Sequence, residues 1–335
     1  WEIIDAAGRA AAAGRREQEA EKLYSEAAEH FAKKTLFDVR PMVEKLRADY
    51  ADTSVLLESS RRPSFAELEQ AVAKLGNMFT VRLDGKGDFK SIQAAIDAAP
   101  PNSLIEIEDN GPYHEAVMIN KEGITLRGKR PAWPMITSEN IVPKTKYLVV
   151  INAPAVAVER LAVLHTAPGA DPHAIVVTSG ARFCNILASL EGGTSQSGVR
   201  VDGGSVEFDS CLLRTPGGRL SGEAGLRVLR NTVWILSWHL GIGDFEFENS
   251  LVLGEIHNMS GCRARQCTFW GPIGVRAGQQ RSDPCHFTDS IVKALDAEVE
   301  GNTLTNCNVL ELSGARPTSG FFSVGAQIKR PLVLR

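Results

Sequence analysis

The stretch FEFENSLV at 245–252 repeats in pattern down most of this chain, and that repeat limits the fold more than any other feature. With Ser250 as position zero, equivalent positions fall at Leu161, Ile186, Cys211, Thr232, Ser250, Cys267, Ser290 and Cys307, at intervals of 17 to 25 residues. Three residues earlier stand Val158, Phe183, Phe208, Leu229, Phe247, Ala264, Phe287 and Leu304, and two residues later Val163, Ala188, Leu213, Trp234, Val252, Phe269, Val292 and Val309. Both sets are apolar throughout. Position minus one is polar throughout: Arg160, Asn185, Ser210, Asn231, Asn249, Gln266, Asp289 and Asn306. A unit of this length with strand-like alternation inside it predicts a solenoid whose coils stack. The Asn-rich row then reads as an amide ladder that satisfies turn backbone groups where the chain bends.

Composition adds exclusions. Over 335 residues the chain is 43% apolar and 23% charged, with a formal charge of -3. No basic excess exists to displace phosphate counterions, which argues against a nucleic-acid partner. No apolar run approaches the roughly 20 residues a membrane span needs. Cys211, Cys267 and Cys307 sit at position zero, where small residues are expected inside the coil, and no CxxC pair accompanies Cys184, Cys262 or Cys285, so all six read as free thiols. No cofactor motif is present, and His165, His173, His239 and His257 lack the HxH or HxxxH spacing of a metal site. The chain opens at Trp1 without a signal-peptide pattern, which leaves the compartment open.

Residues 1–77 differ in character from the rest. Ala, Glu, Arg and Lys dominate 6–34, predicting one long helix whose largely alanine stripe buries little. A second amphipathic segment carries Met42, Val43, Leu46 and Tyr50, and Ser64 with Glu67 forms a capping box for a third helix that Gly76 is expected to stop. This segment reads as an adaptor, or as an arm for a protein partner or oligomer. From Met78 the period changes to two. Strands are predicted in FTVRLDGKGDF (79–89), LIEIED (104–109), AVMIN (116–120) and ITLRG (124–128), with a short helix at about 90–99 covering the first coil.

The opening DGKGDFKSIQAAIDAAP (84–100), followed by IEI, GPYHEAVMI and ITLRG, resembles the start of the pectin methylesterases in the pectate-lyase-like superfamily. The resemblance implies a mainly β fold, a right-handed parallel β-helix over 78–335 preceded by the helical segment. It also implies a place to look for chemistry, because those esterases use one aspartate as nucleophile and another as acid/base. GIGDFEFENS (241–250) is similar to their nucleophile segment, which would make Asp244 the catalytic residue. Two departures weigh against this. Glu248 replaces the family's glycine, and SGEAGLRVL (221–229) stands where the second aspartate's segment belongs. A lone carboxylate has no proton acceptor to work with. The layout, a helical arm leading into a β-helix, is also similar to the C-terminal sensor-like regions of some bacterial, notably planctomycete, Ser/Thr kinases.

Two outward rows carry the remaining signal. Two residues before position zero stand Glu159, Cys184, Asp209, Arg230, Glu248, Arg265, Thr288 and Thr305, and four before it Arg182, Glu207, Val228, Glu246, Arg263, His286 and Thr303. Charge alternates from Asp209 to Arg265, as in-register pairing across coils would require. Such a face is either a solvated ion-pair ladder or a surface for a charged polymer, with arginines at coil spacing matching uronate carboxylates or sulfates. Glu and Arg alternating neutralise one another rather than chelate calcium, which argues against a lyase. The sequence therefore predicts a non-catalytic recognition or scaffold module with a possible polysaccharide ligand, its contacts at Arg230, Glu248, Arg263 and Arg265 and on a stacking platform of Trp238 and Trp270. The alternative is an esterase using Asp244.

Overall fold

The computed structural model describes residues 2–33, 35–58, 60–141, 145–166, 172–191, 198–218, 225–240, 245–257, 259, 261–275, 284–297, 302–314 and 322–324. The chain divides into two compact units, Trp1–Asn77 and Met78–Arg335.

The first unit contains α1 (Glu2–Ala32), α2 (Leu36–Asp49), α3 (Ser54–Leu57) and α4 (Phe65–Ala73). Ala20, Tyr24 and Ala27 of α1 close on Val39, Val43, Leu46, Val55 and Leu68, so the alanines serve as points of close approach within a real core. The capping box forms as predicted, Ser64 and Glu67 each accepting from the other's backbone N–H. The helix it starts ends at Ala73 rather than at Gly76, and the Arg40 guanidinium binds the carbonyls of Leu75 and Gly76 at 2.9 and 3.0 Å. Sequence reading missed α3, whose four residues are too few to show a period.

The second unit is mainly β. Nineteen strands among the described residues join in one all-parallel sheet that curls round an axis, and Val117–Ile119, Tyr147–Ile151, His173–Val177 and Val199–Val201 form a second parallel sheet. The repeat register is observed directly. Val158 pairs with Phe183, Phe183 with Phe208, Phe208 with Leu229, Leu229 with Phe247, Phe247 with Ala264, Ala264 with Phe287 and Phe287 with Leu304. These side chains are all buried and belong to one continuous core. Phe183 and Phe208 stack at 4.8 Å between centroids. Ala264 leaves room on its coil for Phe269, which meets both Phe247 and Phe287 edge-on at 5.3 and 5.8 Å.

The polar row is polar for a reason beyond the amide ladder. All eight residues at position minus one have φ between 46° and 56°, the left-handed region, so each coil turns on a single residue held there. Asn and Asp tolerate that conformation better than other side chains with a Cβ. The ladder itself is partial: Asn249 donates to Asn231 at 2.8 Å and Asn306 to Asp289 at 2.6 Å. Position zero completes the corner. From Cys211 to Cys307 the side chain donates to the carbonyl two residues back: Cys211 to Asp209, Thr232 to Arg230, Ser250 to Glu248, Cys267 to Arg265, Ser290 to Thr288 and Cys307 to Thr305, at 2.7 to 3.2 Å. The small residues were expected there only as filler. The hydroxyl or thiol is a second donor there, since the carbonyls of Arg230, Glu248, Arg265, Thr288 and Thr305 each also accept a backbone N–H from the preceding coil.

α5 (Ile92–Ala98) buries Ile92, Ala95 and Ile96 in the same core. Its N-terminus is held by Glu115, whose carboxylate accepts from the Ile92 and Gln93 amides at 2.8 and 3.0 Å, and its C-terminal carbonyls receive the Lys121 ammonium. An anion at one end and a cation at the other both favour the helix dipole.

Candidate functional site

The outward rows resolve into ion pairs, only some of them the ones the alternation predicts. Glu106 meets Arg127 at 2.9 Å and Lys129 at 3.4 Å, and Glu159 meets Arg182 at 2.6 Å. Arg230 reaches diagonally to Glu207 and along its own row to Glu248 at 3.3 Å. Asp209, expected to pair with Arg230, instead accepts from the Asn231 amide and the Ser210 hydroxyl at 3.0 Å each. In the row two before position zero, pairing along the row holds for Arg230 with Glu248; in-register pairs also form between Glu106 and Arg127 and, at 3.7 Å, between Glu246 and Arg263. Asp209 lies beside the left-handed residues Ser210 and Asn231, whose side chains both donate to its Oδ1, and Arg230 meets the carboxylate of the adjacent row instead.

Compensation thins at the next coils. Arg263 meets Glu246 only at 3.7 Å and its side chain is 72% exposed. Arg265 is exposed and lies in register between Glu248 and Thr288, with no ion pair among the described residues. Arg263 is in register with His286, and His286 with Thr303, its Nδ1 lying 2.9 Å from the Thr303 hydroxyl. Thr288 is followed in register by Thr305. The strands Cys262–Arg265, His286–Thr288 and Thr303–Thr305 thus present cations and hydroxyls together, with no carboxylate in either outward row of those three coils.

The esterase-like segment is accounted for by the coil wherever it is described. Phe245 and Phe247 are buried and stacked at 5.6 Å, Glu246 and Glu248 face outward into the pairs above, and Asn249 is the left-handed corner. Asp244 and Gly241 lie outside the described residues. Trp234 is buried, as its inward row predicts. Trp270 is 47% exposed, with the Lys293 ammonium 5.9 Å from its ring centroid, a cation–π distance. Trp238 lies in the strand Val233–Leu240, and its side chain, with the platform expected of it and Trp270, falls outside the described residues.

His165 and His173 are buried, at the end of one strand and the start of the next. His165 Nε2 meets the Lys146 carbonyl at 3.2 Å, and burial holds its pKa below the usual imidazole value. His173 packs on Tyr147 at 5.4 Å. Among the described residues no three His, Cys, Asp or Glu side chains converge as a metal site would need, and no helix is long and apolar enough to cross a membrane. Sequence reading also missed Arg227, which is 1% exposed in an inward position and donates to the Gly225 carbonyl at 2.7 Å. The signal lay in its position five residues before Thr232, between Val206 and Phe245 on the neighbouring coils.

No family model and no curated protein sequence matches the chain. Solved structures do. A pectin methylesterase from Aspergillus niger is similar at 14% identity and a TM-score of 0.42, covering 75% of this chain and 87% of its own. The pectin methylesterase from carrot is similar at 16% identity and a TM-score of 0.44, covering 74% and 88%, and one from Erwinia chrysanthemi at 16% and 0.39, covering 75% and 90%. Nothing found supports the likeness in layout to kinase sensor regions. The architecture, from the strand pairing itself, is mainly β, a long parallel sheet curling round an axis, with N-terminal helices.

Proposed function

We propose that the solenoid is a non-catalytic recognition module for an acidic polysaccharide, contacted through the outward face at Arg263 and Arg265. One observation carries the reading: the outward charges cancel through Arg230, whereas Arg265 has no ion pair among the described residues and Arg263 has only a long one. Beside them His286, Thr288, Thr303 and Thr305 add hydrogen-bonding groups on the same strands. Successive coils are about 4.8 Å apart, so a chain lying along the axis passes from Arg263 and Arg265, on one strand, to His286 and Thr288 on the next. Guanidinium binds carboxylate or sulfate through two parallel N–H groups. Arg230 and Glu248 are the paired edge of this face, and Trp270 with Lys293 is a separate exposed position beyond the corner at Gln266.

The test is binding of the full chain to polygalacturonate, a sulfated glycan and a neutral glucan by titration calorimetry at about 50 and 300 mM salt. The expected result is binding to one or both anionic polymers that weakens with salt and falls at least tenfold in Arg263→Ser/Arg265→Ser. No binding at low salt, or binding that the double variant retains, overturns the reading. Hydrolysis of methyl-esterified pectin that disappears in Asp244→Asn would replace it with the esterase.

A further inference from the structure

The inward row five residues before position zero places Phe245, Cys262, Cys285 and Asn302 on successive coils, all buried. Cys262 and Cys285 are each 0% exposed. Each immediately precedes one member of the pair Arg263 and His286, so the two cysteines face one another across a single inter-coil step. In-register neighbours in a parallel sheet are about 4.8 Å apart, within the Cα separation of about 4.4–6.8 Å that a disulfide spans. On the far side the Asn302 side-chain carbonyl holds the Cys285 backbone N–H at 2.7 Å, which fixes the coil that carries it.

The other four cysteines lack such a neighbour. Cys211, Cys267 and Cys307 use their thiols at the corner carbonyls, with Thr232, Ser250 and Ser290 on adjacent coils. Cys184 faces outward between Glu159 and Asp209. From this arrangement we infer that Cys262 and Cys285 are a preset site for an inter-coil disulfide, closed by exchange with a small-molecule disulfide such as oxidised glutathione. One cysteine thiolate attacks the oxidant's disulfide, joining to one sulfur and releasing the other as thiolate. The second cysteine, once deprotonated, displaces the remaining half. Two cysteine sulfurs are oxidised, the two sulfurs of the oxidant are reduced, and the two protons end on the released thiols.

Burial raises the Cys262 thiol pKa well above its usual value, which suppresses the attacking thiolate in the closed fold. The bridge therefore forms as the coils come together rather than afterwards. Once formed, it pins the coil bearing Arg263 and Arg265 to the coil bearing His286.

The full chain, reduced and unfolded, is refolded either with excess oxidised glutathione or with reductant, then alkylated and digested without reduction for mass spectrometry. The expected product of oxidative refolding is a linked pair of peptides holding Cys262 and Cys285, lighter by two hydrogens, with the other four cysteines alkylated. The unfolding midpoint should rise by on the order of 5 °C over the reduced form and return on reduction. Cys262→Ala and Cys285→Ala should each remove that rise, and Cys211→Ala should keep it. Alkylation of both residues after oxidative refolding, capture of either as a glutathione adduct alone, or a bridge to another cysteine overturns the inference. The wild-type mass measurement decides the matter even if a variant does not fold.

Discussion

At the corner residue Asn249 the effect of a substitution should run opposite to ordinary strand preference. Its φ is 46°, and its side chain is exposed and donates to Asn231 at 2.8 Å. In the left-handed region a Cβ costs about 1–2 kcal/mol, more for a β-branched side chain and nothing for glycine. Losing the exposed amide bond costs about 0.5–1 kcal/mol in every variant, and glycine adds about 0.5–1 kcal/mol of unfolded-chain entropy. Asn249→Gly is therefore expected to lose about 1–2 kcal/mol, Asn249→Ala about 1.5–3 kcal/mol and Asn249→Val more than either. A loss of 1 kcal/mol lowers the melting temperature of a unit this size by about 2–4 °C, so differences of this order are measurable by differential scanning calorimetry. Extended backbone would give the reverse, with valine best and glycine worst. Observation of that reverse order would refute the claim that one left-handed residue turns the coil.

Two further outcomes are expected. Phe208→Ala removes a fully buried ring stacked on Phe183 and should lower stability by about 3–5 kcal/mol, read as a fall in the denaturant midpoint. Because burial lowers the pKa of His165, the unfolded chain binds a proton below about pH 6.5 that the folded chain refuses. Its contribution should be flat above about pH 7 and should fall by up to about 1.4 kcal/mol per unit on acidification, until the lowered folded-state value is reached. Stability of the wild type minus that of His165→Gln should fall accordingly between pH 7.5 and 5.5; parallel pH profiles would show that His165 does not carry the effect.

Much of the fold is readable in the sequence because a parallel solenoid repeats its environment. One residue such as Phe208 says little, but eight apolar residues at one position specify an inward row, and the pairing from Val158 to Leu304 follows that row step for step. The corner conformation was less legible. A row containing Arg160, Ser210 and Gln266 beside its Asn and Asp residues signals polarity, and polarity alone does not distinguish a hydrogen-bond ladder from a positive φ. Ion-pair partners were harder still, because rows two apart on the same face are nearly as close as neighbours within a row, and a competing amide at Asn231 was enough to divert Asp209. Gly254 carries a signal that could have been read: a Cβ there would fall 1.9 Å from the Leu236 carbonyl, and only direct packing of one coil's backbone on the next demands that.

The coil itself provides the measure of what is functional. A solenoid must fill its inward rows and turn its corners with residues that accept a positive φ, and from Cys211 onward this one adds a hydroxyl or thiol at each corner carbonyl. FEFENS meets all of those needs with Phe245, Phe247, Asn249 and Ser250, so its likeness to a catalytic segment requires no catalysis. Arg230, Glu207 and Glu248 likewise answer to one another. Arg265 does not: an exposed arginine whose row offers Glu248 in register, yet which makes no ion pair among the described residues, contributes nothing that the coil requires. Nor does the coil require two cysteines in register at Cys262 and Cys285, where Phe245 fills the same inward position one coil earlier. Chemistry left over after the repeat has been satisfied is where a ligand face and a covalent staple are to be sought. Both fall on the strand Cys262–Arg265, so closing the staple should fix the spacing between the arginines of that strand and the His286 coil beside it.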